Sequence, residues 1–139
     1  MTSKVNYQGQ LRTCAVHLQS NSTVITDAPV DNHGKGEAFS PTDLVATALA
    51  SCLMTIMGIK AESMNIDLTG TNANVKKHMS TIPRRISQVD IEVFMNQDFD
   101  DRTKKLLEAA ALTCPVAQSL HPEINQNINF VYPQKQMKN

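Results

Sequence analysis

From Leu44 to Ile59 the chain runs Leu-Val-Ala-Thr-Ala-Leu-Ala-Ser-Cys-Leu-Met-Thr-Ile-Met-Gly-Ile without a single charge. Just before this run, Ser40 is a good helix N-cap and Pro41 fits the first helical position, where a missing N–H costs nothing. Asp43 stands three residues after Ser40, a near-match to the capping box with Asp in place of Glu. The hydroxyls of the run, Thr47, Ser51 and Thr55, recur at i, i+4 and i+8 and form one narrow stripe of small groups. A helix over about 40–64 that is apolar around most of its girth belongs inside a protein. It is too short, and too close to Lys60 and Glu62, to make a convincing membrane span, which needs roughly 20 apolar residues. Near its middle lies Cys52.

With 139 residues the chain suits one compact domain, 1–139, able to bury a real core. Thirteen basic and thirteen acidic side chains cancel, which gives no argument for nucleic acid or a membrane surface as a partner. Trp is absent and aromatics are scarce, which weakens any reading by base stacking. No apolar run follows Met1, and three unclustered cysteines do not make a secreted disulfide framework. A cytoplasmic setting is therefore expected, where a disulfide is more often catalytic than structural.

Residues 4–18 read as strand with a turn at Gln8-Gly9-Gln10, and alternation puts Arg12, Cys14, Val16 and Leu18 on one face. Residues 22–26 form a second short strand, and 27–38 a loop with Pro29, Gly34 and Gly36. After the long helix, 66–79 is a polar strand broken near Gly70, and Ile82-Pro83 marks a turn. From 85 to 95 Val89, Ile91 and Val93 alternate with Asp90 and Glu92. Helices follow at about 101–113 and 115–120, the second capped by Cys114 with Pro115 at its first position. Asn127–Tyr132 reads as the last strand, and the tail from about 133 is polar and expected to be loose. This order predicts an α+β fold, a mostly antiparallel sheet around a buried helix. A 24-residue helix is about 36 Å long, more than so short a chain readily encloses, so burial by a second copy in a homodimer is expected.

Cys52 and Cys114 each lie on the apolar edge of a helix, where a free cysteine often only fills space. Two features point further. Cys114 opens a helix, where backbone N–H groups favour thiolate, whereas Cys52 is mid-helix and needs a cation. Bringing a thiol from pKa ~8.5 to ~6 takes about 3.4 kcal/mol. A helix end supplies at most ~2 kcal/mol. One cation at ~4 Å supplies up to ~4 kcal/mol at an effective dielectric of ~20, before burial subtracts from it. An Arg held by a carboxylate meets the need, because it stays protonated when desolvated. Arg12 is the leading candidate, Arg84 and Arg85 come next, and Asp43 and Glu37 are its candidate anchors.

Ser40-Pro-Thr-Asp-Leu-Val-Ala-Thr-Ala-Leu-Ala-Ser-Cys52, followed far along the chain by Cys114-Pro-Val, resembles the OsmC/Ohr family, the osmotically inducible protein C and organic hydroperoxide resistance proteins. The resemblance implies an intertwined α+β homodimer with two sites at the interface. It implies that Cys52 is the peroxidatic thiol and Cys114 the resolving thiol of a peroxidase that reduces organic hydroperoxides. No bound cofactor is expected; the same resemblance implies an external dithiol of lipoyl type as the reductant. Apolar neighbours Leu49, Leu53, Ile56 and Met57 are candidate pocket residues, with Met54 beside them. In the hydroperoxide-resistance branch a Glu follows the helix-start proline and pairs with the active-site Arg. Thr42 stands there in this chain, and Asp43, one place on, matches the OsmC-like branch.

Three other readings compete. One is a small-molecule-binding or stress-related module of the same fold without peroxidase turnover. A second is a Cys-His hydrolase using Cys52 with His121 or His78. A metal site at Cys14 and His17 has tempting spacing, but strand alternation sends the two side chains to opposite faces and no second motif pairs with them, so no metal is expected. His33 is a loop residue that could border a pocket.

Overall fold

The structure, a computed structural model, describes residues 1–134, which divide into two compact units, 1–45 and from 46 onward. The tail expected to be loose from about 133 lies, from 135 on, outside the described residues.

The first unit is an antiparallel sheet of three strands in the order β1 (Ser3–Gly9), β2 (Arg12–His17) and β3 (Thr23–Asp27). The segment expected as one strand with a turn is thus a hairpin, bent by Gly9, Gln10 and Leu11, all at positive φ. Arg12 pairs in register with Asp27, Thr13 with Thr26 and Cys14 with Ile25. A single 3₁₀ turn, Val30–Asn32, ends at His33 in the left-handed region, φ 66°. Gly34 follows it tightly: a Cβ there would lie 1.7 Å from the Ala28 carbonyl oxygen, so no larger residue fits. Val5, Tyr7, Val24, Ile25 and Phe39 are all more than 40% exposed, while Thr26, Asp27 and Ser40 are buried. Among the described residues, the sheet's Val5, Tyr7, Val24 and Ile25 are thus exposed apolar side chains.

The long helix α1 (Pro41–Ser63) begins in the first unit and continues into the second. Its start is a reciprocal box: the Ser40 hydroxyl accepts the Asp43 N–H at 3.0 Å, and the Asp43 carboxylate accepts the Ser40 N–H at 3.0 Å. Two of the orphan donors of the first turn are thereby satisfied. Its end is a Schellman motif. Ile66 N–H reaches the Ala61 carbonyl, Asn65 N–H reaches the Glu62 carbonyl, and Asn65 takes the left-handed φ of 56°. By length and composition α1 meets the criterion for a membrane-crossing helix, but Ala46, Leu49, Ala50, Leu53, Met57 and Ala61 are occupied in the core of this unit.

The second unit completes itself with a sheet of β4 (Asn72–Thr81), β5 (Arg84–Phe94) and β6 (Asn125–Val131), and with helices α2 (Asp101–Ala111) and α3 (Pro115–Ser119). β4 starts at Asn72, later than the sequence suggests. Asp67 holds a turn by accepting both the Thr69 N–H and its hydroxyl, and the Asn96 amide ties the Asp67 and Thr69 carbonyls. β4 and β5 are antiparallel, whereas β6 runs parallel to β5. Parallel neighbours need a long crossover, and α2 and α3 provide it. Val89, Ile91 and Val93 of β5 meet Leu49, Leu53 and Met57 of α1, Leu107 of α2 and Cys114 in one closed core. Each large side chain sealed there contributes about 1.5–3 kcal/mol. The end of β6 is pinned to α2: Tyr132 donates to Glu108 at 3.1 Å, and Lys104 sits 4.4 Å above its ring.

Candidate functional site

In the second unit α1 and the start of α3 bring Cys52 and Cys114 together, although sixty-one residues separate them in the chain. Cys52 is half-buried and Cys114 is fully buried, 0% exposed. Both are free thiols. Cys114 caps α3 with its sulfur, which accepts the Ala117 N–H at 3.3 Å. Pro115 at the first helical position explains why the chain turns there.

The expectation that this helix start favours thiolate at Cys114 is corrected by its burial. Desolvation raises the Cys114 pKa and is the largest influence; the Ala117 and Val116 N–H groups pull it down, and a hydrogen bond and charge interaction with Cys52 push it up again. Burial disfavours the charged form more than a single short turn of helix can offset. Cys114 therefore keeps its proton in the reduced protein. A sheltered thiol in contact with a more accessible one is suited to wait, and to react only when its neighbour has changed.

Leu49, Leu53 and Met57 do not line an opening. Each is 0% exposed in the core, because the helical face on which they recur is the one that packs on β5 and α2. Ile56, one turn beyond Cys52, is half-buried and shares its face, and Met54 is also half-buried. The hydrolase reading fares poorly on its histidines. His78 Nε2 is 2.6 Å from an Asp90 carboxylate oxygen, and His121 Nδ1 accepts the Glu123 N–H. His17 is held to Ser20 in a turn.

In the first unit the leading cation is pinned. Arg12 Nε and Nη2 donate to the two Asp27 carboxylate oxygens at 2.6 and 2.8 Å, and Nη2 also reaches Glu37 at 3.2 Å. Asp27 is 1% exposed and accepts the Glu37 N–H at 3.1 Å as well. The Arg12 guanidinium, through hydrogen bond and charge, holds the Asp27 carboxyl below the usual carboxylate range; Asp27 in turn raises Arg12 still further beyond any pH at which it would lose its proton. Of the expected anchors, Glu37 takes this role. Asp43 is engaged in the α1 cap, and Thr42 Oγ1 is 3.2 Å from the Ser40 hydroxyl. Asp27, in the segment expected to be a loop, is the last residue of β3 and the principal anchor of Arg12, which the sequence pattern alone does not reveal. Arg85, a second-rank candidate, pairs with Glu123 in the second unit.

No curated protein matches the chain. Solved structures do. A protein from Psychrobacter arcticus 273-4, described as an osmotic stress induced and detoxification response protein, is 61% identical, with a TM-score of 0.92 over 94% of this chain and 96% of that one. An organic hydroperoxide resistance protein from Legionella pneumophila is 16% identical, TM-score 0.73, over 94% and 96% of the two chains. One from Bacillus subtilis is 18% identical, TM-score 0.64, over 94% and 98%. These last two share the fold. The OsmC-like protein family model matches residues 34–129, a span that holds both Cys52 and Cys114. With that match and the close Psychrobacter relative, the chain belongs to the OsmC-like family.

Proposed function

We propose that the protein is a thiol peroxidase that reduces organic hydroperoxides to alcohols, with Cys52 as the attacking sulfur and Cys114 as the resolving one. The observation that carries this reading is the contact of a half-buried thiol with a fully buried, proton-retaining one. Fold relatives named for organic hydroperoxide resistance support the substrate class. The Cys52 thiolate attacks the terminal peroxide oxygen, the O–O bond breaks, and the departing alkoxide takes a proton to leave as alcohol. Cys52 is now a sulfenic acid. Cys114 attacks its sulfur, a disulfide forms, and the hydroxyl departs with the Cys114 proton as water. An external dithiol, of lipoyl type, resets the pair in a cytosolic setting.

Arg12 is the proposed cation of the Cys52 chemistry. Its support is chemical: a permanently charged, planar donor fixed by two carboxylates needs no reorganisation to serve. Asp43 supports the same chemistry by fixing the helix start. A homodimer is the proposed working form. The α1 residues Ser51, Thr55 and Ile59 form an exposed stripe on the side opposite the core, and Val5, Tyr7, Val24 and Ile25 of the β1–β2–β3 sheet are exposed. Steady-state assays with a lipoyl dithiol test the function. Cumene hydroperoxide is expected to be turned over faster than hydrogen peroxide, and Cys52→Ser is expected to abolish both. Equal rates remove the substrate class, activity surviving in Cys52→Ser removes the mechanism, and no turnover of either peroxide leaves the binding-module reading.

A further inference from the structure

The disulfide of the proposed cycle has two sulfurs, and a reductant must choose one. Thiol–disulfide exchange needs the incoming thiolate in line with the S–S bond, so access to the attacked sulfur limits the choice. The two sulfurs differ sharply in this respect. Cys114 is 0% exposed, within a core cluster that includes Leu107, Ala111, Leu49 and Leu53. Cys52 is half-buried on a helix fixed at both ends, flanked by half-buried Ile56. Cys114 also has what a departing sulfur requires, since its Sγ already accepts the Ala117 N–H at 3.3 Å. A thiolate expelled there keeps that donor while it waits for a proton.

We infer that the external dithiol enters the disulfide at Cys52 and that Cys114 is the sulfur expelled, an inference resting on the proposed disulfide cycle. The incoming thiolate forms a new S–S bond to Cys52 Sγ as the Cys52–Cys114 bond breaks, and the electron pair leaves on Cys114, which takes up a proton. The second thiol of the same molecule then attacks its own sulfur in the mixed disulfide. Cys52 leaves as thiolate and the dithiol departs as a cyclic disulfide. The protein gains two electrons, and the dithiol loses two. Burial works against this order in one respect, because a high thiol pKa makes Cys114 a slower leaving group. Access decides, since a closed sulfur cannot be attacked at all until α3 opens.

A monothiol stops the exchange at its first step. The Cys14→Ser protein, left with only Cys52 and Cys114, is oxidised with diamide to the internal disulfide. It is then exposed briefly to excess 2-mercaptoethanol, quenched in acid, alkylated and mapped by peptide mass. The mercaptoethanol adduct is expected on the Cys52 peptide at about ten times its level on the Cys114 peptide or more. An even split, or an excess on Cys114, overturns the inference, as does failure of diamide to close the bridge. A parallel sample oxidised with cumene hydroperoxide tests the peroxidase reading separately. Closure by diamide but not by peroxide sinks that reading while leaving the preference between the two sulfurs measurable.

Discussion

Cys114→Ser separates the structural duty of that residue from its chemical one. The sulfur caps α3 by accepting the Ala117 N–H, and a serine hydroxyl keeps that cap, so no capping energy is lost. Against this stands the cost of burying a hydroxyl in a site that is 0% exposed, about 1–3 kcal/mol when incompletely paired. With the cap kept and the hydroxyl paired to the Ala117 N–H, the low end of that cost applies, so the variant is expected to fold with a stability loss of about 1 kcal/mol and a melting temperature lower by roughly 3–5 °C. Its chemistry changes far more. With no second sulfur to condense, Cys52 stops at the sulfenic acid after one peroxide. Dimedone labelling with intact-mass detection reads the outcome. One adduct per chain is expected in the variant and almost none in the wild type, with dithiol-driven turnover down at least about tenfold. A variant that folds, consumes peroxide at the wild-type rate and shows no sulfenic acid would refute the two-sulfur account.

Leu53→Ala empties a site sealed between α1 and the second sheet and is expected to cost about 2–5 kcal/mol in chemical denaturation. Ser40→Ala removes one half of the α1 box and is expected to cost about 1 kcal/mol in the same assay, with the Cys52 alkylation rate little changed. Asp27 has a depressed folded pKa, so its contribution to stability is complete above the ordinary carboxyl range and disappears as pH falls through the folded value. Asp27→Asn should therefore flatten the acid limb of the melting curve below about pH 4, and an unchanged acid limb would show that the pair with Arg12 does not hold the sheet. If the proposed homodimer forms through the exposed side of α1, Thr55→Arg is expected to give a monomer by light scattering where the wild type gives a dimer, without loss of helical signal, and a monomeric wild type would refute the proposed dimer.

The long helix, its first turn and the short capped helix at Cys114 are legible because each rests on local rules. Ser40 and Asp43 are within one turn, and Pro115 directly follows its cap. The alternating Val89, Ile91 and Val93 likewise announced the inner face of β5. The parallel pairing of β6 was not legible, because no local signal distinguishes which neighbour a short strand joins. Asp27 was missed for a similar reason. Its partner lies fifteen residues away, and only the hairpin register, which sets Arg12 opposite Asp27, reveals it. An inward Arg on a strand requires an acid nearby, and extending β3 by one residue would have supplied it. The pocket assignment erred differently. Apolar neighbours of a cysteine on a helix suggest a pocket lining, but Leu49, Leu53 and Met57 recur on the face that builds the core. Cys114 shows why a motif alone does not set a pKa: the helix start was visible in the sequence, and the burial that outweighs it was not.

Peptide mass mapping of the reduced protein after one equivalent of cumene hydroperoxide tests the central claim most directly. The account predicts a single intramolecular bridge joining the Cys52 and Cys114 peptides, formed in proportion to peroxide consumed, with Cys14 left as a thiol. Peroxide consumed without that bridge, or no consumption at all, would contradict it.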